Sequence, residues 1–201
     1  MCKIICITNR KLCRVDFSVQ LEKIAAAQPD MVILREKDMR EDEYSILAEK
    51  SAEICRKYEV PFAVNSFRNT ALKKGIKRIH LPLHILRELT PEDKAVFDII
   101  GTSVHSKEDT EEAVALGAGY IIAGHIFETE CKKGLAGRGT DFLKEICNTV
   151  KLPVYAIGGI TADNAAECIK AGADGICLMS SFMQAENVSE FMDRLRGVMN
   201  G

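Results

Sequence analysis

Eight short apolar runs recur along this chain, each too uniformly apolar to have one wet face and one dry one. They are KIICIT (3–8), MVILR (31–35), PFAVN (61–65), RIHLP (78–82), DIIGTS (98–103), GYIIAG (119–124), PVYAIGG (153–159) and GICLMS (175–180). Stretches with helical spacing lie between them, including Ser18 to Gln28, Glu41 to Tyr58, Lys107 to Leu116, Asp141 to Val150, Asp163 to Ala171 and Val188 to Met199. A strand that is apolar throughout must be covered on both faces, and helices crossing between parallel strands supply that cover. Two glycine turns, LGAGY (116–120) and AGADG (171–175), close a helix and send the chain back into a strand. About eight strand–helix repeats predict an α/β chain folded as one compact single-domain (β/α)₈ TIM barrel over residues 1–201. At this length several helices must be short, most of all in the units after 65 and after 82. An open doubly wound sheet is the alternative and requires a reversal of strand order. No linker, low-complexity tract or charge block divides the chain.

Composition narrows the classes further. Hydrophobic residues make up 47% of the chain, enough for a sizeable core, and a net charge of -2 argues against a nucleic-acid partner. No stretch of about 18 uninterrupted apolar residues marks a membrane span. The start, MCKIICITNRK, turns polar too soon for a signal peptide, so a cytoplasmic location is expected. The eight cysteines, at 2, 6, 13, 55, 131, 147, 168 and 177, form no CxxC pair and sit mostly in apolar periodic segments. They read as reduced, buried small hydrophobes. Cys131 differs, because Lys132 and Lys133 beside it favour the reactive thiolate. His80 and His84 stand four apart, but Pro82 lies between them and no third ligand is apparent, so no zinc site is expected. Phe182, Met183 and Phe191 fit either an association surface or the core, which leaves a homo-oligomer open.

In a barrel of this kind the functional groups sit at the carboxyl ends of the strands. The candidates there are Arg35 and Lys37, Asn65, Ser103 and His105, His125, Gly158 and Gly159, and then Met179, Ser180 and Ser181. Arg35 offers fork-shaped donors to a carboxylate or phosphate, and Lys37 a point charge. Asn65 supplies both a donor and an acceptor. Ser103 is placed to bond a ligand, with His105 assisting or joining Ser106 in capping the next helix. In IGGITADN (157–164) two glycines allow close backbone approach, and Thr161 to Asn164 open a helix with free N–H groups. With Met179, Ser180 and Ser181 this forms the expected phosphate site. The longest signal is YIIAGHIFETECKKGLAGRG (120–139): an apolar strand delivers His125, followed by a polar loop carrying Lys132 and Arg138. A histidine that titrates near neutrality under a flexible basic loop suits proton transfer on an anionic substrate.

Taken together, LREK (34–37), Asn65, GTSVHS (101–106), GYIIAGHIFETECKKG (119–134), AIGGIT (156–161) and AGADGICLMSS (171–181) resemble the thiamine phosphate synthase superfamily, in order and over nearly the whole chain. The resemblance implies a compact TIM barrel with one of two activities. The synthase branch joins a pyrimidine pyrophosphate to a thiazole phosphate with Mg²⁺. Its marks are an Asn-Asp pair after the third strand, a glutamine and an acid after the fourth, and a glutamine before Arg-Glu-Lys. Here Asn65 precedes Ser66, the fourth strand ends LPLHIL (81–86), and Ile33 stands two before Arg35. The TenI branch is similar from Gly124 to Gly139 and implies a thiazole tautomerase. In that reaction His125 aromatises a carboxythiazole phosphate tautomer, with no metal or other cofactor. Gly158, Gly159, Ser180 and Ser181 would hold the phosphate, and Arg35 with Lys132 or Asn65 the carboxylate. The tautomerase is therefore the expected activity, with the small-molecule thiazole phosphate as partner. The synthase is the alternative, and a non-catalytic binder of thiazole phosphates the third reading.

Overall fold

The computed structural model describes residues 2–132 and 134–200. The eight apolar runs become strands β1 (Lys3–Ile7), β2 (Met31–Leu34), β3 (Phe62–Asn65), β4 (Arg78–Pro82), β5 (Ile99–Val104), β6 (Tyr120–Gly124), β7 (Val154–Ile157) and β8 (Gly175–Leu178). Each pairs in parallel with its neighbours in chain order, and β8 returns to pair with β1, so the sheet closes. Strand order never reverses, which removes the doubly wound alternative and makes the fold a (β/α)₈ TIM barrel.

The covering helices are α1 (Phe17–Ala26), α2 (Glu41–Lys57), α3 (Arg68–Lys74), α4 (Leu83–Arg87), α5 (Pro91–Ala95), α6 (Lys107–Ala115), α7 (Gly139–Thr149), α8 (Ala165–Lys170), α9 (Ser180–Gln184) and α10 (Val188–Asn200). The units after β3 and β4 are the abbreviated ones, with seven residues in α3 and five each in α4 and α5. Thr90 and Asp93 form a reciprocal capping box around Pro91, so a new helix starts there instead of α4 continuing. Ser106 caps α6 as expected, its Oγ accepting from the Asp109 N–H at 3.0 Å. Helix α8 begins later than its periodicity suggests. Asn164 Oδ1 accepts from the Thr161 N–H at 2.8 Å and its Nδ2 donates to the Gly159 carbonyl at 3.0 Å, which holds 159–164 as a turn.

Strand residues alternate between two cores. Ile5, Ile7, Ile33, Ala63, Tyr120, Ile122 and Cys177 fill the barrel lumen. Their neighbours, among them Ile4, Cys6, Val32, Leu34, Val64, Ile121 and Ile176, belong to the larger core shared with the helices. Two buried faces explain why the runs lack a polar alternate. Phe182 and Met183 are fully buried, and Phe182 packs edge-on to partly buried Phe191 with ring centroids 5.4 Å apart, so Phe182 and Met183 are core and not an association surface. Cys6, Cys55, Cys168 and Cys177 are buried free thiols. The Cys131 side chain lies outside the described residues. Among the described residues no helix is long and apolar enough to cross a membrane.

Candidate active site

The segment after β2 is organised by a residue that the sequence reading passed over. Glu36 is 2% exposed and sits between half-buried Arg35 and exposed Lys37. Its carboxylate accepts from Thr8 Oγ1 at 2.7 Å, from the Arg10 backbone N–H at 3.0 Å and from Arg10 Nη1 at 3.2 Å. Thr8 Oγ1 in turn accepts from the Arg35 N–H at 3.0 Å. A threonine and an arginine from the end of β1 thus pull Glu36 inward and fix the turn that carries Arg35 and Lys37. The available signal was a carboxylate between two cations, with Thr8 and Arg10 at the matching end of the adjacent strand.

Lys37 lies below the usual lysine range. The charge of Arg35 is the largest cause, followed by burial and then by the charge of Lys132. Lys132 belongs to a short 3₁₀ turn, Glu130–Lys132, in the loop after β6. The fold therefore brings Arg35, Lys37 and Lys132 into one electrostatic field, although the third comes from a distant part of the chain. A lysine depressed by like charges is relieved when an anion binds among them.

Asn65 is 7% exposed, and its amide serves the protein at both ends. Nδ2 donates to the His80 carbonyl at 3.1 Å, and Oδ1 accepts from Ser66 Oγ at 3.2 Å. The Asn65 N–H donates to Tyr44 Oη, which donates to the Leu34 carbonyl at 2.6 Å. Asn65 thus ties β3 to β4 and, through Tyr44 of α2, to β2. His80 and His84 part company, as expected: His80 is buried in the barrel and His84 is exposed on α4. Ser103 Oγ lies 2.8 Å from His80 Nε2. His105 is occupied elsewhere, its Nδ1 paired with the Gly124 carbonyl at 2.8 Å.

His125 follows a cis peptide after Gly124 and is 7% exposed. Its Nε2 lies 3.3 Å from the Leu135 carbonyl, and its Nδ1 is buried with no hydrogen-bond partner among the described residues. The loop it opens is anchored at both ends. The Ile126 and Phe127 N–H groups donate to the Ile157 and Gly158 carbonyls at 2.9 Å, and the Arg138 N–H donates to the His125 carbonyl at 3.0 Å. This docking gives Gly158 and Gly159 their purpose. Both have positive φ, 102° and 65°; a Cβ on Gly158 would stand 2.3 Å from His125 Cβ, and one on Gly159 2.3 Å from the Glu128 carbonyl oxygen. The chain's own loop makes a close approach to both glycines. Beside this turn, Met179 follows β8, the neighbour of β7, and Ser180 and Ser181 open α9, all three partly exposed.

The Mg²⁺ that the synthase resemblance implies needs hard oxygen ligands. After β3 the chain offers Asn65 and Ser66, which bond to each other at 3.2 Å. After β4 it offers Pro82, Leu83, His84 and Ile85. Among the described residues no three His, Cys, Asp or Glu side chains form a metal-binding group. This donor set does not fit the ion.

Comparison with known proteins follows the architecture. A family model described as "Thiamine monophosphate synthase" matches residues 4–182. A thiamine-phosphate synthase of Clostridium tetani is 32% identical over 205 residues, covering 99% of this chain and 96% of that protein. One of Clostridium acetobutylicum is 34% identical over 194 residues, covering 94% of this chain and 90% of that protein. The solved thiamine phosphate pyrophosphorylase of Pyrococcus furiosus superposes with a TM-score of 0.84 at 30% identity, covering 98% of this chain and 95% of that one. These similarities overturn the tautomerase expectation. It rested on the loop from Gly124 to Gly139 and on the missing synthase marks at Ser66, 81–86 and Ile33, whereas relatives aligned over nearly the full chain are named as synthases. Without the isomerisation, His125 has no proton to shuttle between ring carbons. A closed eight-stranded barrel, matched along its length by synthases, belongs to the thiamine monophosphate synthase family.

Proposed function

We propose that this chain is a transferase that makes thiamine phosphate, joining a pyrimidine carried as its diphosphate ester to a thiazole phosphate and releasing diphosphate. The observation that carries this reading is the convergence of Arg35, Lys37 and Lys132, with Lys37 depressed by the other two. When the carbon–oxygen bond to the leaving group breaks, negative charge gathers on the departing diphosphate. Fixed cations directed at that charge stabilise the transition state more than the ground state. Because the residues after β3 and β4 do not suit a hard dication, we assign this stabilisation to the three side chains. Glu36, paired with Arg10, keeps the turn in place.

The turn at Gly158 and Gly159 and the hydroxyls of Ser180 and Ser181, beside Met179, would hold the thiazole phosphate. Two anchored anions orient the reacting atoms. His125, with one buried ring nitrogen unpartnered among the described residues, and Ser103 would be contacts for the rings between them.

The test is diphosphate release measured with both substrates and with each alone. Release only with both is expected. Lys37→Ala is expected to lower kcat/KM about tenfold or more, the usual cost of losing a charged hydrogen-bonding group. No release from the paired substrates would dismiss the reading.

A further inference from the structure

Three polar side chains from neighbouring strands form a chain of hydrogen bonds through the barrel. The strand register aligns His80 of β4 with Gly101 of β5, and Gly101 with Tyr120 of β6. Gly101 is the gap that makes the chain possible. A Cβ there would lie 1.9 Å from Tyr120 Cζ, so the tyrosine ring occupies the space a side chain would take. Across that gap Tyr120 Oη reaches within 3.2 Å of His80 Nδ1, the two rings stacked at 5.6 Å with 29° between their planes. His80 Nε2 is 2.8 Å from Ser103 Oγ. Ser103, two residues beyond Gly101 on the same face of β5, stands nearer the carboxyl end of the barrel. It also lines a cavity of about 240 Å³ with Pro82, Leu83, His84, Arg87 and His105.

The proton positions follow from elimination. Tyr120 is 2% exposed, and His80 Nδ1 is its one hydrogen-bond partner among the described residues. Its O–H must donate there or remain buried and unsatisfied. Nδ1 is then an acceptor and carries no proton. A neutral imidazole in that state has its proton on Nε2, which donates to Ser103 Oγ. With its oxygen accepting from within, Ser103 has its own O–H left to donate outward. The geometry points to His80 as a positioning residue: Tyr120 fixes its tautomer, and His80 in turn makes Ser103 an outward hydrogen-bond donor to an acceptor atom of the bound substrate. Burial keeps the ring neutral, holding His80 at about 3, with the Arg35 charge adding to the effect. The relay therefore sets a direction and does not exchange protons with solvent.

The role of Ser103 in turnover rests on the transferase reading, but the tautomer does not, and the experiment separates them. Nitrogen NMR of the His80 ring in the free protein is expected to show the Nε2-protonated tautomer, lost or mixed in Tyr120→Phe. In turnover, Tyr120→Phe is expected to lower kcat about three- to tenfold with little change in KM, the cost of one misdirected hydrogen bond. Tyr120→Phe combined with Ser103→Ala should be no slower than Ser103→Ala alone. His80→Gln, whose amide restores a donor near Nε2, should retain more kcat than His80→Leu. An Nδ1-protonated ring in the wild type, or additive losses in the double variant, overturns the relay. A wild type that releases no diphosphate overturns the transferase reading, and the NMR result then decides the relay by itself.

Discussion

Glu36 and His80 are both buried polar groups, yet the protein treats them in opposite ways. Glu36 receives hydrogen bonds from Thr8, the Arg10 backbone and the Arg10 guanidinium, so its charge is met by donors on every reachable side. His80 is given neutral partners only, Tyr120 and Ser103, and burial pushes it down to about 3. In the unfolded chain a histidine titrates near about 6.5. Between those values the unfolded state binds a proton that the folded state refuses, so acid favours unfolding. The contribution is fully present above about pH 6.5 and falls as pH drops toward the folded value, by at most about 1.4 kcal/mol per unit. Denaturant midpoints followed from neutral to mildly acid pH should decline in the wild type and decline less in His80→Gln. Equal slopes would mean that the buried ring accepts a proton without cost.

The loop after β6 and the turn after β7 behave as one element. The backbone of Ile126 and Phe127 continues the pairing with Ile157 and Gly158 beyond the strand ends. Gly158 and Gly159 let the two segments touch, so their cost on substitution is steric as well as conformational. Gly158→Ala is expected to destabilise the fold by about 3 kcal/mol or more, from a positive-φ alanine together with overpacking against His125. Gly75 makes the natural control. It closes α3 with φ of 64° and nothing within 4 Å of its would-be Cβ, so Gly75→Ala should cost only about 1 kcal/mol. Chemical denaturation of the two variants checks the difference; equal losses would remove the docking role of Gly158. Glycine reports that something comes close, and here the thing that comes close is another loop of the same chain.

Closure is the property of the whole molecule. An open sheet of eight strands would leave two edges with unpaired backbone groups, and the pairing of β8 with β1 removes them. Gly175 sits at that seam, where a Cβ would lie 2.1 Å from the Lys3 carbonyl oxygen. Gly175→Ala is expected to lower stability by about 3 kcal/mol or more, because backbone and not a flexible side chain would have to move. An unchanged denaturation midpoint would show that the seam has slack. Closure also places the carboxyl ends of all eight strands around one mouth, which is how Lys132 comes within the field of Arg35 and Lys37. The sequence by itself determined the strands and their parallel order. Uniform apolar runs and helical spacing are local patterns with few three-dimensional solutions. It also showed the cations after β2, and it misjudged the activity because one loop and the missing synthase marks were given more weight than the length of the chain. Only the tertiary structure decided that Glu36 turns inward, that two glycines serve a docked loop, and that His80 belongs to Tyr120 and Ser103. Glu36 and Thr8 are 28 residues apart and His80 and Tyr120 are 40 apart. No local pattern encodes contacts of that range, because they exist only once the barrel has closed and set distant strands side by side.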